Sequence, residues 1–218
     1  MSRLALVAAL AVTLLTTGAA LAGPERAPGV GPLTGNVLLL PVRVEVYEAA
    51  PAGVALLKAD WTQSSRGYVE TALEGLLGAS RATIVRYAAP LDPDREDRHR
   101  QVLTVQGLVR AAIITHRYGD HFALPSKRRF EWSLGPAASV LGNDTPATHA
   151  LFVDLSERRL SRHFVRIGSL GDEFAASASV VDLGTGDVVW FNYERSGSVG
   201  TALDALTSVK RLLRDFPF

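Results

Sequence analysis

The sequence predicts an α/β (α+β) fold: a single mixed β-sheet of about five to six strands, about three main helices packed on it, and a late antiparallel β-hairpin. Three observations predict it. Apolar residues recur with a period of two in short runs. They recur in steps of three and four in longer runs. Strands and helices alternate early, whereas the last two strands follow one another across Gly184-Thr185-Gly186.

The elements follow in chain order. Met1-Ser2-Arg3 precedes an apolar run from Leu4 to Leu15, and Ala20 and Ala22 occupy the two small positions of a cleavage site. Residues 1–22 therefore read as a secretory signal peptide, cleaved before Gly23. The other reading is a retained anchor helix, for which Leu4–Ala22 approaches the ~20 residues of a span. Gly23–Gly35, with Pro24, Pro28, Gly29, Gly31 and Pro32, reads as a flexible Gly/Pro leader. Residues 36–218 read as one α/β domain.

Asn36–Tyr47 is the first strand, with Leu38, Leu40, Val42, Val44 and Val46 on one face. The other face starts apolar at Val37 and Leu39 and turns polar at Arg43 and Glu45, so the strand starts buried on both sides and emerges on one. Gly53–Lys58 suits a short hairpin return. Asp60 and Gln63 fit a capping box opening a helix whose stripe is Trp61, Tyr68, Val69, Ala72, Leu73, Leu76 and Leu77, ended by Gly78. Ala82–Tyr87 is a strand, and strand–helix–strand order favours a right-handed crossover. A second helix follows Leu91–Asp97, with Val102, Val105, Val109, Ala112 and His116 inward and Leu108 and Ile113 beside them. Phe130–Gly135 leads to a short helix ending near Gly142, and His149–Asp154 is a buried strand. A polar, Arg-rich segment spans Glu157–Asp172. Phe174–Leu183 and Asp187–Tyr193 form the hairpin, and Thr201–Arg214 closes the chain as a helix with Leu203, Leu206, Val209 and Leu213 inward.

Composition excludes some functions. The 218 residues are 47% hydrophobic and 21% charged, ordinary for a globular domain. The chain carries 23 Lys+Arg and 22 Asp+Glu; the first 22 residues hold Arg3 and no acid, so the remainder is balanced at 22 against 22. That argues against nucleic-acid binding, which draws on a basic surplus. There is no cysteine, so no disulfide and no lipidated thiol. No segment after residue 22 is long and apolar enough to cross a membrane.

Several stretches together carry a resemblance: Val37–Pro41, Trp61, His116 ahead of Leu124–Lys127, Phe130–Gly135, Ala150–Val153 and Ala178–Asn192. They resemble an uncharacterised family of exported proteobacterial proteins, many of them described as lipoproteins. At fold level the pattern is similar to the α/β module of curli-secretion (CsgG-type) lipoproteins and of the TolB amino-terminal domain. The resemblance implies an envelope scaffold or assembly role and no catalytic residues. The chain departs from it in having no lipidated cysteine, and Glu157–Asp172 is short and charged, unlike a membrane-inserting hairpin.

No motif names a reaction. The His residues are scattered and no His-Glu-x-x-His occurs, so neither a metal nor a cofactor is expected. His116 and His121 are five apart, which does not put them on one helical face. Asp92, Asp94, Glu96 and Asp97 sit in a first helical turn, where acids suit the helix dipole. Gly168–Gly171 lacks the nucleophile-elbow pattern. Asp154 is the best-placed carboxylate, because open α/β sheets bind ligands outside strand carboxyl ends. Lys127, Arg128 and Arg129, and Arg158, Arg159, Arg162 and Arg166, form basic patches suited to phosphate or sugar-acid groups. The expectation is a periplasmic, non-enzymatic binding or assembly-accessory module. Its partner is another envelope protein or an envelope glycolipid, met on a surface around Lys127, Phe130 and Trp132. The alternative is a small periplasmic hydrolase or ligand-binding enzyme with His116 and Asp154 converging in a cleft. Ring assembly like the curli-secretion proteins is a third reading.

Overall fold

In the computed structural model, residues 23–49, 54–119, 124–160 and 173–218 are described. Residues 1–22, His121, Arg162, His163, Arg166 and Gly168–Gly171 lie outside them. Among the described residues eight strands form one mixed sheet: β1 Glu25–Arg26, β2 Asn36–Leu39, β3 Arg43–Ala49, β4 Ala55–Leu57, β5 Thr83–Arg86, β6 Ala147–Leu160, β7 Glu173–Asp182 and β8 Val188–Glu194. Three α-helices pack on it: α1 Ala59–Gly78, α2 Pro93–Ile113 and α3 Ala202–Leu212.

The strand order is β1-β8-β7-β6-β2-β5, with β3 also beside β6 and β4 beside β3. β2 pairs parallel with both β5 and β6, while β6, β7 and β8 are antiparallel neighbours. The count exceeds five to six for two reasons. The leader supplies an edge strand: Glu25 and Arg26 pair with Phe191 and Trp190 of β8. Further along it, the Leu33 N–H donates to the Pro217 carbonyl at 2.7 Å. Second, the first predicted strand is two.

That division re-aims half of the strand. Leu39 lies beside Leu151 and Arg43 beside Asp154, so four steps along one chain match three along the other. The extra residue falls at Leu40-Pro41-Val42, where proline has no N–H to donate to the ladder. One added residue reverses the alternation. Leu38 and Leu40 consequently face the cluster under α2, whereas Val42, Val44 and Val46 join Val37 on the opposite face. The five do not share one face as the period of two predicts.

Helices cover both faces. The path from β2 through α1 to β5 runs one way along the sheet. The path from β5 through α2 to β6 runs back past β2. Crossovers of one hand running in opposite directions must lie on opposite faces. Accordingly α1 and α3 bury Val69, Leu73, Leu77, Ala205, Val209 and Leu212 with the valines of β3 and with Trp190. α2 buries Val102 and Ile113 on the other face with Leu38, Leu40, Phe130, Phe152 and Phe191. Each such large side chain contributes roughly 1.5–3 kcal/mol on burial.

The helix starts and stripes differ from expectation in ways the packing explains. α1 starts at Ala59 after Lys58, with no side-chain cap, so Asp60 lies within the first turn and the capping box does not form. The turn is tied instead to β3: Lys58 N–H donates to the Val46 carbonyl at 2.9 Å, and Val46 N–H to Thr62 Oγ1 at 3.0 Å. In α2, Asp92 caps the helix by accepting from Asp94 N–H. The buried stripe runs through His99, Val102, Gln106 and Ile113, and Leu108 is 68% exposed. The helix continues as a π-turn over Ile114–Tyr118. In α3, capped by Thr201, the buried residues are Ala205, Ser208, Val209 and Leu212, while Leu203 is 72% exposed. Small residues are required inside: Ser208 Oγ exchanges hydrogen bonds with the Ser198 backbone, and Gly197 lies so close that a Cβ there would fall 2.6 Å from that oxygen.

The hairpin behaves as its composition predicts. Asp182 accepts from the Gly184 and Thr185 N–H groups, and Gly186 takes φ +80°. A Cβ at Gly186 would meet the Gly135 carbonyl oxygen at 2.0 Å, because residues 132–135 pair with the hairpin through Leu134 N–H to Gly186 and Val188 N–H to Trp132.

Candidate functional site: an arginine-lined crevice and an open half-sheet

Among the described residues, α2 covers only part of its face. Beyond Leu40 and Phe152, the outward residues of β3 are Arg43, Glu45 and Tyr47, and those of β6 are Asp154, Ser156 and Arg158. Their neighbours on β7 and β8 are Ser177, Ala175, Glu173 and Tyr193. Strand alternation alone puts them on one surface, the apolar partners pointing under α1 and α3. A broad depression of about 550 Å³ crosses it between Tyr47, Arg158, Glu173, Tyr193 and Arg195. Arg158 pairs there with Glu173, and Tyr47 donates to Glu45 at 2.8 Å.

A smaller crevice adjoins this surface at the carboxyl end of β2. A half-open space of about 310 Å³ lies between Leu40-Pro41-Val42, Arg43, Arg66 of α1, Leu103 and Gln106 of α2, and Asp154. A second cavity of about 240 Å³ shares Arg43 and Asp154 and adds Glu45, Arg110, Ser156 and Tyr193. Asp154 is the hinge between the two. It is 8% exposed, and its carboxylate lies 3.6 Å from Arg43 Nε and 3.8 Å from Arg110 Nε. Burial pushes its pKa up, against the pull of Arg110, Arg43 and a hydrogen bond from Gln106. Arg110 Nε is buried and has no hydrogen-bond partner among the described residues.

The sequence-predicted residues separate into different environments. Asp154 lies within β6, not at its end, because β6 continues to Leu160; it reaches a crevice because β2 stops beside Leu151. His116 sits in the π-turn and stacks on Trp132, ring centroids 6.4 Å apart and planes 9° apart. It lines neither cavity around Asp154. Phe130 is 3% exposed and packs against Phe191, so its side chain belongs to the core and not to a surface. Lys127 and Trp132 are half-buried, with Lys127 Nζ 5.0 Å over the indole and Trp132 packed against the core under α2. Arg159 turns to the α1 face, where it bonds Glu157 at 2.8 Å and Ser65 at 3.2 Å.

Other buried polar groups hold structure together. Glu157, 4% exposed, accepts from Arg159, from Ser198 Oγ at 2.8 Å and from Val199 N–H at 3.0 Å. Those partners outweigh burial and hold its pKa below the usual glutamate range. His99 meets the Tyr87 hydroxyl at 3.1 Å and His149 meets Thr148 at 2.9 Å; burial lowers the pKa of both. Sequence reasoning passed over Gln106, Arg110 and Arg66, three polar residues of helices judged by their apolar stripes. The signal was present in the steps 99, 102, 106 and 113, which form a better stripe once His and Gln are admitted to it.

Among the described residues no three His, Asp or Glu side chains cluster to hold a metal, and no helix is long and apolar enough to cross a membrane. No family model matches the chain, and no curated protein does. Among solved structures the chain is similar to the PelC dodecamer of Paraburkholderia phytofirmans. The identity is 11%, covering 87% of this chain and 94% of that one, with a TM-score of 0.33. A variant PelC dodecamer in a second crystal form gives 12% identity, 88% and 96% coverage and a TM-score of 0.35. A DUF330 protein from Xanthomonas campestris gives 8%, 87%, 84% and 0.33. At these identities and TM-scores the likeness assigns neither a family nor an activity.

Proposed function

We propose that this chain is an exported, periplasmic, non-enzymatic module that binds another component of the cell envelope. Export rests on the pattern of residues 1–22, a short basic start, an apolar run and an Ala-x-Ala end. The single observation that carries binding is the open half-sheet. Among the described residues no helix covers this half, and it brings a depression lined by charged and tyrosine side chains beside a crevice. Tyrosine and arginine supply contact area and directed hydrogen bonds at low entropic cost, which suits recognition. Binding is favoured over catalysis because Asp154 faces two guanidiniums and Gln106, while His116 is stacked on Trp132. An acid–base pair needs mutual reach of about 3 Å or one bridging water.

The test is site-directed photo-crosslinking in intact cells. A photoreactive residue replaces Tyr193 on the open half-sheet or Leu108 on the outer side of α2. The proposal expects a discrete protein or glycolipid adduct from position 193 and none from 108. Identical patterns from both positions, or no adduct from 193, contradict it.

A further inference from the structure

Deepening that binding reading, on which it rests, we infer that the crevice at the carboxyl end of β2, with the neighbouring cavity that shares Arg43 and Asp154, is a site for a small oxyanion, a carboxylate or phosphate group, drawn by Arg43, Arg66 and Arg110. The place is set by topology. The crossovers through α1 and α2 part to opposite faces at β2, and open α/β sheets leave a ligand crevice at such a point. Here the bulge at Pro41 widens it, because β2 stops and β3 resumes one residue out of step. The two neighbouring cavities, about 310 and 240 Å³, share Arg43 and Asp154 in their walls, Arg66 lining the first and Arg110 the second, and each has room for a phosphate or a single sugar acid.

The chemistry is that of an unfinished arginine site. All three cations are guanidiniums, which bind oxyanions in a bidentate fork. Among the described lining residues they outnumber the carboxylates, Asp154 and Glu45, and Glu45 already accepts from Tyr47. Arg43 and Arg110 approach Asp154 at 3.6 and 3.8 Å, beyond hydrogen-bond length. Arg110 Nε is left buried with no hydrogen-bond partner among the described residues. An oxyanion beside Asp154 supplies the missing acceptor. Asp154 then spaces the arginines and competes with the ligand for them.

The experiment titrates the purified protein with inorganic phosphate, with glucuronate and with glucose as the neutral control, followed by calorimetry at low and high salt. At least one anion is expected to bind at least about 10-fold more tightly than glucose, and more weakly as salt rises. The phosphate and glucuronate arms tell which oxyanion source fits. Arg43→Gln and Arg66→Gln change exposed side chains that the fold tolerates, and each should weaken the anion by roughly 5-fold or more. Asp154→Asn removes the competitor and should tighten it. Anions that bind no better than glucose, or binding that neither arginine substitution changes, overturn the inference. If position 193 still captures an envelope partner in that case, the binding reading stands and only the oxyanion site falls.

Discussion

Glu157→Gln removes a buried negative charge while keeping the shape of the side chain, and it tests how the last third of the fold is fastened. The carboxylate, 4% exposed, ties β6 to residues 198 and 199 just before α3 and to Arg159 beside α1. A glutamine keeps one acceptor oxygen and turns the other into a donor facing the Ser198 hydroxyl. The charge-assisted bonds to Arg159 and Val199 weaken, and Arg159 regains some hydration because its side chain is 23% exposed. Hydrogen bonds to charged groups are worth roughly 1.5–3 kcal/mol, so a net loss of about 2 kcal/mol is expected at pH 7. For a domain of this size that lowers the Tm by roughly 4–8 °C. The loss should depend on pH with a definite sign. The folded-state pKa of Glu157 lies below its unfolded value. Its contribution is therefore complete above the ordinary glutamate pKa and is lost as pH falls through the lower, folded value. Thermal melts by circular dichroism at neutral pH and through the acid range should show wild type and variant converging as pH drops. A variant that melts within about 1 °C of wild type at pH 7, or a gap that widens in acid, refutes the reasoning.

Four further outcomes follow from the same geometry. Asp154→Asn should leave stability unchanged or raise it by about 1 kcal/mol at pH 7, read by urea unfolding, because burial costs this carboxylate more than its distant arginines return. Its pKa is raised in the fold, so wild type gains relative to the Asn variant as pH falls toward the ordinary aspartate range. Gly186→Ala should cost about 2 kcal/mol or more in the same assay, since it combines a positive φ with a clash on Gly135. Val209→Ala should cost about 2 kcal/mol and Leu203→Ala less than about 0.5, the reverse of what hydrophobicity alone predicts. Phe130→Ala should cost roughly 3–5 kcal/mol while Lys127→Ala stays within about 1, separating core from surface in that segment.

Much of the architecture was legible in the residues. The strand runs, the three helices and the Gly186 turn all follow from local periodicity and turn chemistry, which are properties of neighbouring residues. The polar face of β3 was legible too, since Arg43 and Glu45 alternate with buried valines. What local pattern could not supply was register. A single extra residue at Pro41 exchanges the faces of Leu38 and Val42, and only pairing with β6 reveals it. The same limit hid the crevice: Arg43, Arg66, Arg110 and Asp154 come from β3, α1, α2 and β6, and no sequence spacing links them. Helix faces failed where burial favoured small or polar residues. Ser208 lies inside α3 because Gly197 and Ser198 approach it too closely for leucine, and Gln106 lies inside α2 because Asp154 waits opposite. Glu157 opens a polar, Arg-rich segment in the sequence, yet β6 continues through it to Leu160, with Glu157 meeting Arg159 and Arg158 meeting Glu173.

The role proposed here requires that the protein does its work outside the cytoplasm, shorn of its first 22 residues. Intact mass and amino-terminal sequencing of the natively expressed protein, recovered by osmotic shock, test this most directly. The account predicts a periplasmic species beginning at Gly23. A full-length species retaining Met1, confined to the cytosolic fraction, would contradict it.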